Sequence, residues 1–152
     1  RVISVRFPYP NIPFLSFSLK GVKDINIKLS SSKNKCLFTL IHRSKSKKHF
    51  LNPDIVKVLI DNKNTALYFS RSPIPYNDTN DHFQHIGIYG YKVSVLHDYL
   101  HLKKSPYEIH ENLEQLRFIW NEIPVYCIKI NVNNSISINS VNDLRLAKEI
   151  FK

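Results

Sequence analysis

Methionine is absent from this sequence of 152 residues, which begins with arginine. We therefore expect the chain to be a fragment or a trimmed product. Only two cysteines occur, Cys36 and Cys127, and their wide separation matches neither a zinc site nor a disulfide framework, so we expect reduced, structural thiols. No apolar run approaches the roughly 18 residues of a membrane helix, and no signal peptide is evident at the start. These absences predict a cytosolic protein without a membrane segment.

Glycine and alanine are scarce, whereas lysine, asparagine, isoleucine and serine are abundant, and the formal net charge is +10. This bias is typical of an AT-rich genome and need not reflect selection for a basic surface. The densest basic cluster, residues 43–48, lacks interleaved aromatic residues for base stacking. We expect it to be a solvated loop and do not expect nucleic acid as a partner. A basic nucleic-acid-binding module remains the least favoured alternative.

Apolar runs and turn residues predict an α/β domain in a single unit. The predicted strands are residues 2–5, 36–41, 54–61, 66–70, 85–91 and 125–130. Segments 54–61 and 66–70 flank a tight connection and should form a hairpin. Helices are predicted over residues 12–25, where Gly21 weakens the pattern, and from Ser140 onward. The polar, proline-bearing segment 72–82 should form a lid or a binding edge.

The clearest helix start is Ser105, followed by Pro106 at the first helical position. Glu108 completes a capping-box spacing, so a cap is its favoured role over ligand binding. An apolar stripe then predicts one continuous helix through Ile109, Leu113, Leu116 and Trp120.

Three segments in order carry a resemblance to a known family. They are NPDIVKV (52–58) continuing to ALYFSRSPIP (66–75), HIGIYGY (85–91), and SPYE (105–108) with LEQLR (113–117). Together they resemble the signature segments of 3-deoxy-manno-octulosonate (Kdo) cytidylyltransferases. The resemblance is firm over residues 52–120 and weaker outside them.

The resemblance implies a mixed-sheet, Rossmann-like fold of the nucleotide-diphospho-sugar transferases, here N-terminally incomplete. No segment matches the glycine- and arginine-bearing loop that holds the triphosphate in that family, so residues 1–152 should correspond to its central and C-terminal parts. The implied reaction is attack of the anomeric hydroxyl of Kdo on the α-phosphate of CTP, with Mg²⁺ neutralising charge and pyrophosphate leaving. The implied context is lipopolysaccharide synthesis by a cytoplasmic homodimer.

The resemblance also implies a Kdo site formed by Arg71, His85, Tyr89, Glu114 and Gln115. Structural alternatives stay open for most of these residues. Arg71 suits an ion pair equally well, and the residues at 85 and 89 could be hydrogen-bonded core groups on one face of a strand. Glu114 could pair with Arg117 three residues later.

Histidines 97 and 101 have an i, i+4 spacing that suits a metal, but no third ligand lies nearby in the sequence. Two surface histidines on a short helix are therefore the favoured interpretation.

The positions expected to bind Mg²⁺ depart from the family pattern. Asn139 stands at one metal-binding aspartate and, on a less certain alignment, Pro8 stands at the other. Neither side chain supplies the charged oxygen that a hard cation prefers. No catalytic residue is identified, and metal binding by this chain is doubtful. The alternative to an active cytidylyltransferase is an inactive remnant that retains sugar binding or dimerisation.

Overall fold

A computed structural model describes residues 2–5, 19–76 and 81–131. Their elements, in chain order, are β1 (Val2–Val5), α1 (Leu19–Ser31), β2 (Leu37–Ser44), α2 (Lys47–Leu51), β3 (Lys57–Ile60), β4 (Ala66–Ser70), β5 (His82–Tyr91), α3 (Val93–His101), α4 (Pro106–Glu111), α5 (Gln115–Trp120) and β6 (Val125–Lys129).

The strands form one mixed sheet with β5 at its centre. The order β4-β3-β5-β2-β6 runs across the sheet, and β1 pairs with the later part of β5 while β3 pairs with its beginning. Strands β2 and β6 are parallel, and the other strand pairs are antiparallel. The predicted hairpin of β3 and β4 is confirmed, as is the predicted mixed α/β sheet.

Each face of the sheet carries its own apolar core, because side chains alternate between the two faces along a strand. On one face, Ile25 and Leu29 of α1 pack with Leu40 and Ile88. Gly90 permits this close approach, since a Cβ there would lie 2.1 Å from Ile25 Cγ2. The other face packs against α3 and α5 through a larger cluster that includes Leu37, Ile41, Val58, Phe69, Tyr89, Val95, Leu116 and Phe118.

The prediction of one continuous helix from 105 to 120 is wrong. Asn112 adopts a left-handed conformation with φ 52°, which ends α4, and α5 starts three residues later. The stripe is split accordingly: Leu113 and Leu116 are buried, whereas Ile109 is 66% exposed and Trp120 is 50% exposed. Asparagine tolerates this backbone conformation better than most residues, so the break has a local cause.

The expectation of a solvated loop at 43–48 is wrong at both ends of that segment. Strand β2 extends to Ser44, and Arg43 pairs with Asp81 across the sheet. Lys47 begins α2, whose N-cap is Ser46, because the Ser46 hydroxyl accepts a hydrogen bond from the backbone N–H of His49. The basic residues are therefore spread along the end of a strand and a short helix.

Several expectations lie partly or wholly outside the described residues. They concern Pro8, Asn139, the early part of the helix at 12–25, the final helix from Ser140 and residues 77–80 of the polar segment. Within the described ranges, no helix has the length and apolar character needed to cross a membrane.

Candidate functional site

A cleft opens on the face of the sheet that carries the larger core. Its cavity volume is about 60 Å³, and the cleft opens to solvent. The lining residues come from β2, β5, α3 and the start of α5: Leu37, Tyr89, Tyr91, Leu96, Tyr99, Glu114, Gln115 and Phe118. Three of the five residues predicted for the sugar, Tyr89, Glu114 and Gln115, are thus brought to one surface.

Gln115 is the most unusual group in this cleft. The side chain is buried, with 3% of its surface exposed, and its amide nitrogen has no hydrogen-bond partner among the described residues. A buried donor without an acceptor destabilises a fold by about 1–3 kcal/mol. An acceptor supplied by a ligand would remove that penalty.

His85 lies beside the cleft on the same face of β5 as Tyr89, at a ring-centroid distance of 5.3 Å. The half-buried ring also meets the Phe69 ring edge-on at 5.0 Å. Its Nε2 lies 2.9 Å from the Thr39 hydroxyl. Burial lowers the pKa of His85 to about 3, so the ring is neutral near pH 7. The structure therefore places a neutral, oriented imidazole next to the cleft.

Arg71 is held by main-chain groups at the end of β4. Its Nε donates to the Glu111 carbonyl at 2.9 Å and its Nη1 donates to the Pro53 carbonyl at 3.1 Å. The Glu111 carboxylate in turn accepts from the Ser70 hydroxyl at 2.7 Å and from the Arg71 backbone N–H at 2.8 Å. Arg71 is thus a brace between two segments, and it is not among the residues that line the cleft.

Lys57 donates hydrogen bonds to main-chain groups of the same region. Its ammonium group is fully buried and donates to the carbonyls of Asn52 at 2.9 Å, Ile55 at 2.7 Å and Arg71. Burial lowers the pKa of Lys57 to about 8, and the nearby Glu111 carboxylate opposes that shift. We call Lys57, Ser70, Arg71 and Glu111 the anchor cluster.

Glu108 has a different partner from the one expected. Its backbone N–H donates to the Ser105 hydroxyl at 2.9 Å, as the predicted cap requires, but its carboxylate forms a bidentate pair with Arg117. Glu114, for which a pair with Arg117 was the alternative to sugar binding, lines the cleft. The Arg117 guanidinium also lies 4.3 Å from the ring centroid of Tyr99. The pair of residues 108 and 117 therefore braces one wall of the cleft.

Within residues 19–76 and 81–131, no group of three or more histidine, cysteine or acidic side chains is placed to hold a metal ion. His97 and His101 are exposed on α3, which agrees with the surface interpretation. A ready-made set of three metal ligands is therefore not found in the described part of the chain. Both positions aligned with the family aspartates, Pro8 and Asn139, lie beyond it.

Sequence reasoning missed the roles of Thr39 and Lys57. Thr39 is a polar residue inside the apolar run 36–41, and such an interruption of a buried strand was the available signal. Lys57 lies likewise between valines of a strand, where a cation needs internal partners. The partners of Thr39 depend on pairing between strands that are distant in sequence, and those of Lys57 depend on the path of the loop before β3 and on the end of β4.

Comparison with known proteins gives a consistent result. The sequence model of the cytidylyltransferase family matches residues 18–130. The chain is 37% identical over 139 residues to 3-deoxy-manno-octulosonate cytidylyltransferase of Thermodesulfovibrio yellowstonii. The aligned region covers 86% of this chain and 54% of that protein. It is 33% identical over 144 residues to the enzyme of the same name from Blochmanniella floridana, and this alignment covers 90% of this chain and 55% of that protein.

A solved structure of CMP:2-keto-3-deoxy-manno-octonic acid synthetase complexed with CTP superposes with a TM-score of 0.76 at 29% identity, covering 87% of this chain and 55% of that one. The chain spans about half the length of the curated relatives it matches. The resemblance seen in the sequence and the predicted nucleotidyltransferase fold are both confirmed.

Proposed function

Because this chain belongs to the cytidylyltransferase family, we propose that its cleft binds Kdo and forms the sugar side of an enzyme that makes CMP-Kdo and pyrophosphate from Kdo and CTP. In this proposal residues 1–152 are one domain equivalent to the central and C-terminal parts of the cytidylyltransferase domain. The two substrates are inferred from the related enzymes, which are Kdo cytidylyltransferases, and from the related structure, which contains CTP.

The observation that carries the proposal is the buried amide of Gln115, which lacks a partner among the described residues and lies in the cleft wall. A sugar rich in hydroxyl groups offers acceptors for this nitrogen. Glu114 supplies a carboxylate that accepts from sugar hydroxyls, and the rings of Tyr89 and Tyr99 provide apolar surface for the sugar carbons.

The other two predicted residues have supporting roles. His85, next to Tyr89, adds a neutral hydrogen-bonding group at the edge of the cleft. Arg71 lies outside the cleft lining, and in this proposal its Nη2 meets the acidic group of the sugar at the edge of the site, while Nε and Nη1 donate to the carbonyls of Glu111 and Pro53. Cationic groups of this kind recognise carboxylates well.

Mg²⁺ is the cofactor proposed for the whole enzyme, where it would neutralise charge on the phosphates. No described residue of this chain is proposed as its ligand. A cytoplasmic location, a homodimer and a part in lipopolysaccharide synthesis are proposed on the family relationship alone.

A second candidate function is sugar binding without turnover. The feature that favours it is the presence of Asn139 and Pro8 at the positions aligned with the family's metal-binding aspartates. In that case the chain would bind Kdo through the same cleft and would not release pyrophosphate.

Two measurements on the full 152-residue chain test these proposals. Titration calorimetry with Kdo should show binding that Gln115→Met weakens about tenfold, since a tenfold change corresponds to the loss of one polar contact. Mannose, which lacks the carboxylate, is the control ligand and should bind more weakly. Absence of Kdo binding by the folded wild-type chain would overturn the assignment of the cleft.

The second measurement is pyrophosphate release with Kdo, CTP and Mg²⁺. Pyrophosphate release by the wild-type chain, at a rate that is lower in Gln115→Met, would support the cytidylyltransferase function. Kdo binding without pyrophosphate release would support the alternative of a sugar-binding remnant.

A further inference from the structure

Thr39 is a polar residue at an irregular point of the sheet. Its side chain is fully buried on β2, and the register between β2 and β5 shifts directly after it. Thr39 is paired with Tyr89, whereas the next residue, Leu40, is paired with Ile86. Strand β5 therefore carries extra residues at this point, a bulge of the kind that changes side-chain direction and often lies near functional sites.

The bulge gives the Thr39 hydroxyl three polar neighbours. The carbonyl oxygen of Ile88 lies 2.9 Å away, that of Ile86 lies 3.3 Å away, and Nε2 of His85 lies 2.9 Å away. The hydroxyl has one proton to donate, and the two carbonyl oxygens can only accept. The arrangement that satisfies all these groups has Thr39 donating to Ile88 and accepting from the Nε2–H of His85.

This assignment fixes the other nitrogen of the ring. A neutral imidazole with its proton on Nε2 carries a lone pair on Nδ1, which is then an acceptor. Burial keeps the ring neutral at ordinary pH. Among the described residues Nδ1 of His85 has no hydrogen-bond partner, and the residue is only partly buried.

We propose that Thr39 is a positioning residue that holds His85 as the Nε2–H tautomer, so that Nδ1 accepts a hydrogen bond from a hydroxyl group of the bound sugar. The inference rests on the proposed function for its ligand, whereas its first half, the tautomer, is a property of the chain alone. His85 would therefore be specific for a group that donates a hydrogen bond, such as a hydroxyl. Carboxylate and phosphate oxygens are acceptors and cannot pair with an unprotonated Nδ1.

The tautomer is tested without any ligand by long-range ¹H–¹⁵N NMR on the chain labelled in its histidines. His85 should show a protonated Nε2 and an unprotonated Nδ1. Thr39→Ser keeps the hydroxyl and should keep that pattern, while Thr39→Val removes the hydroxyl and should convert His85 to a mixture of tautomers. A wild-type ring protonated on Nδ1 would overturn the proposal, even if the valine variant did not fold.

The ligand half is tested by titrating wild type, Thr39→Val and Thr39→Ser with Kdo. The valine variant should bind about tenfold more weakly, and the serine variant should restore most of the affinity. Equal affinity in all three, with the tautomer altered in Thr39→Val, would overturn the role in recognition. If wild type has the expected tautomer but does not bind Kdo, the proposed function fails while the link between Thr39 and His85 stands.

Discussion

Two polar clusters lie on neighbouring parts of this molecule, and they differ in how completely their hydrogen bonds are made. In the anchor cluster Lys57 donates to three carbonyls, and each oxygen of Glu111 has a donor. At the cleft, the Gln115 amide nitrogen in its wall and Nδ1 of His85 beside it have no partner among the described residues. Both clusters are polar and substantially buried, so burial alone does not separate them.

The number of hydrogen bonds that are already made separates buried polar groups that stabilise the fold from those that are available to a ligand. A saturated group adds to stability and has little capacity left for binding, whereas an unsaturated one lowers stability until something pairs with it. We therefore expect changes in the anchor cluster to alter the free energy of unfolding. Changes in the cleft should alter ligand binding instead.

The largest effect is expected from Lys57→Met, which keeps much of the side chain's length and removes its three donors. Three carbonyls in a buried region lose their partner, so the free energy of unfolding should fall by about 3 kcal/mol or more. Urea denaturation followed by circular dichroism measures the change. The control is Lys35→Met, since Lys35 is exposed and its pair with Asp98 should contribute less than about 1 kcal/mol. Equal losses in the two variants would contradict the anchoring role of Lys57.

A smaller loss is expected from Glu111→Gln. The two carboxylate oxygens accept from the Ser70 hydroxyl and the Arg71 backbone N–H, and an amide nitrogen placed at either position cannot accept. One donor is left without a partner, so we expect a loss of about 1–2 kcal/mol in the same assay. Glu122→Gln, at an exposed position, should change stability by less than about 0.5 kcal/mol. If Glu111→Gln left the free energy of unfolding unchanged, the hydrogen bonds of this carboxylate would not be saturated.

The pH dependence of stability gives a third comparison. The pKa of His85 is lowered to about 3 by burial, from an ordinary 6.5, so between these values the unfolded chain binds more protons than the folded one. His85 therefore makes stability fall as the pH drops below about 6.5. In His85→Asn this part of the slope, about 1 kcal/mol per pH unit, should be missing from unfolding curves recorded between pH 6.5 and 4.

His42→Asn is the matched comparison for that slope. Burial also lowers the pKa of His42, but a side-chain hydrogen bond that the ring donates to Gln84 opposes the shift. The slope should change less in this variant than in His85→Asn. Parallel profiles for wild type and His85→Asn would show that His85 is not held neutral by its surroundings.

Local sequence patterns predicted the strands and the hairpin because they depend on alternation and turn residues close together in the chain. The split of the predicted long helix at Asn112 was missed, since the apolar stripe continues across it and only the left-handed backbone ends the first helix. The residues gathered in the cleft came from the family resemblance. The partners of Thr39 could not be predicted, because they depend on a bulge between residues some 47–49 positions apart. Those of Lys57 are closer in sequence, but they depend on the path of the loop before β3 and on the pairing of β3 with β4.

The smallest effect on stability, and the sharpest test of the comparison, is expected from Gln115→Met. Methionine has nearly the same shape and lacks the buried amide, so the variant should be as stable as wild type or more stable by up to about 1 kcal/mol. The same change should weaken Kdo binding, so stability and affinity would move in opposite directions. Changes in the anchor cluster are expected to lower stability. A substantial loss in Gln115→Met would therefore place Gln115 among the saturated, structural groups and would remove the main argument that this cleft is built for a ligand.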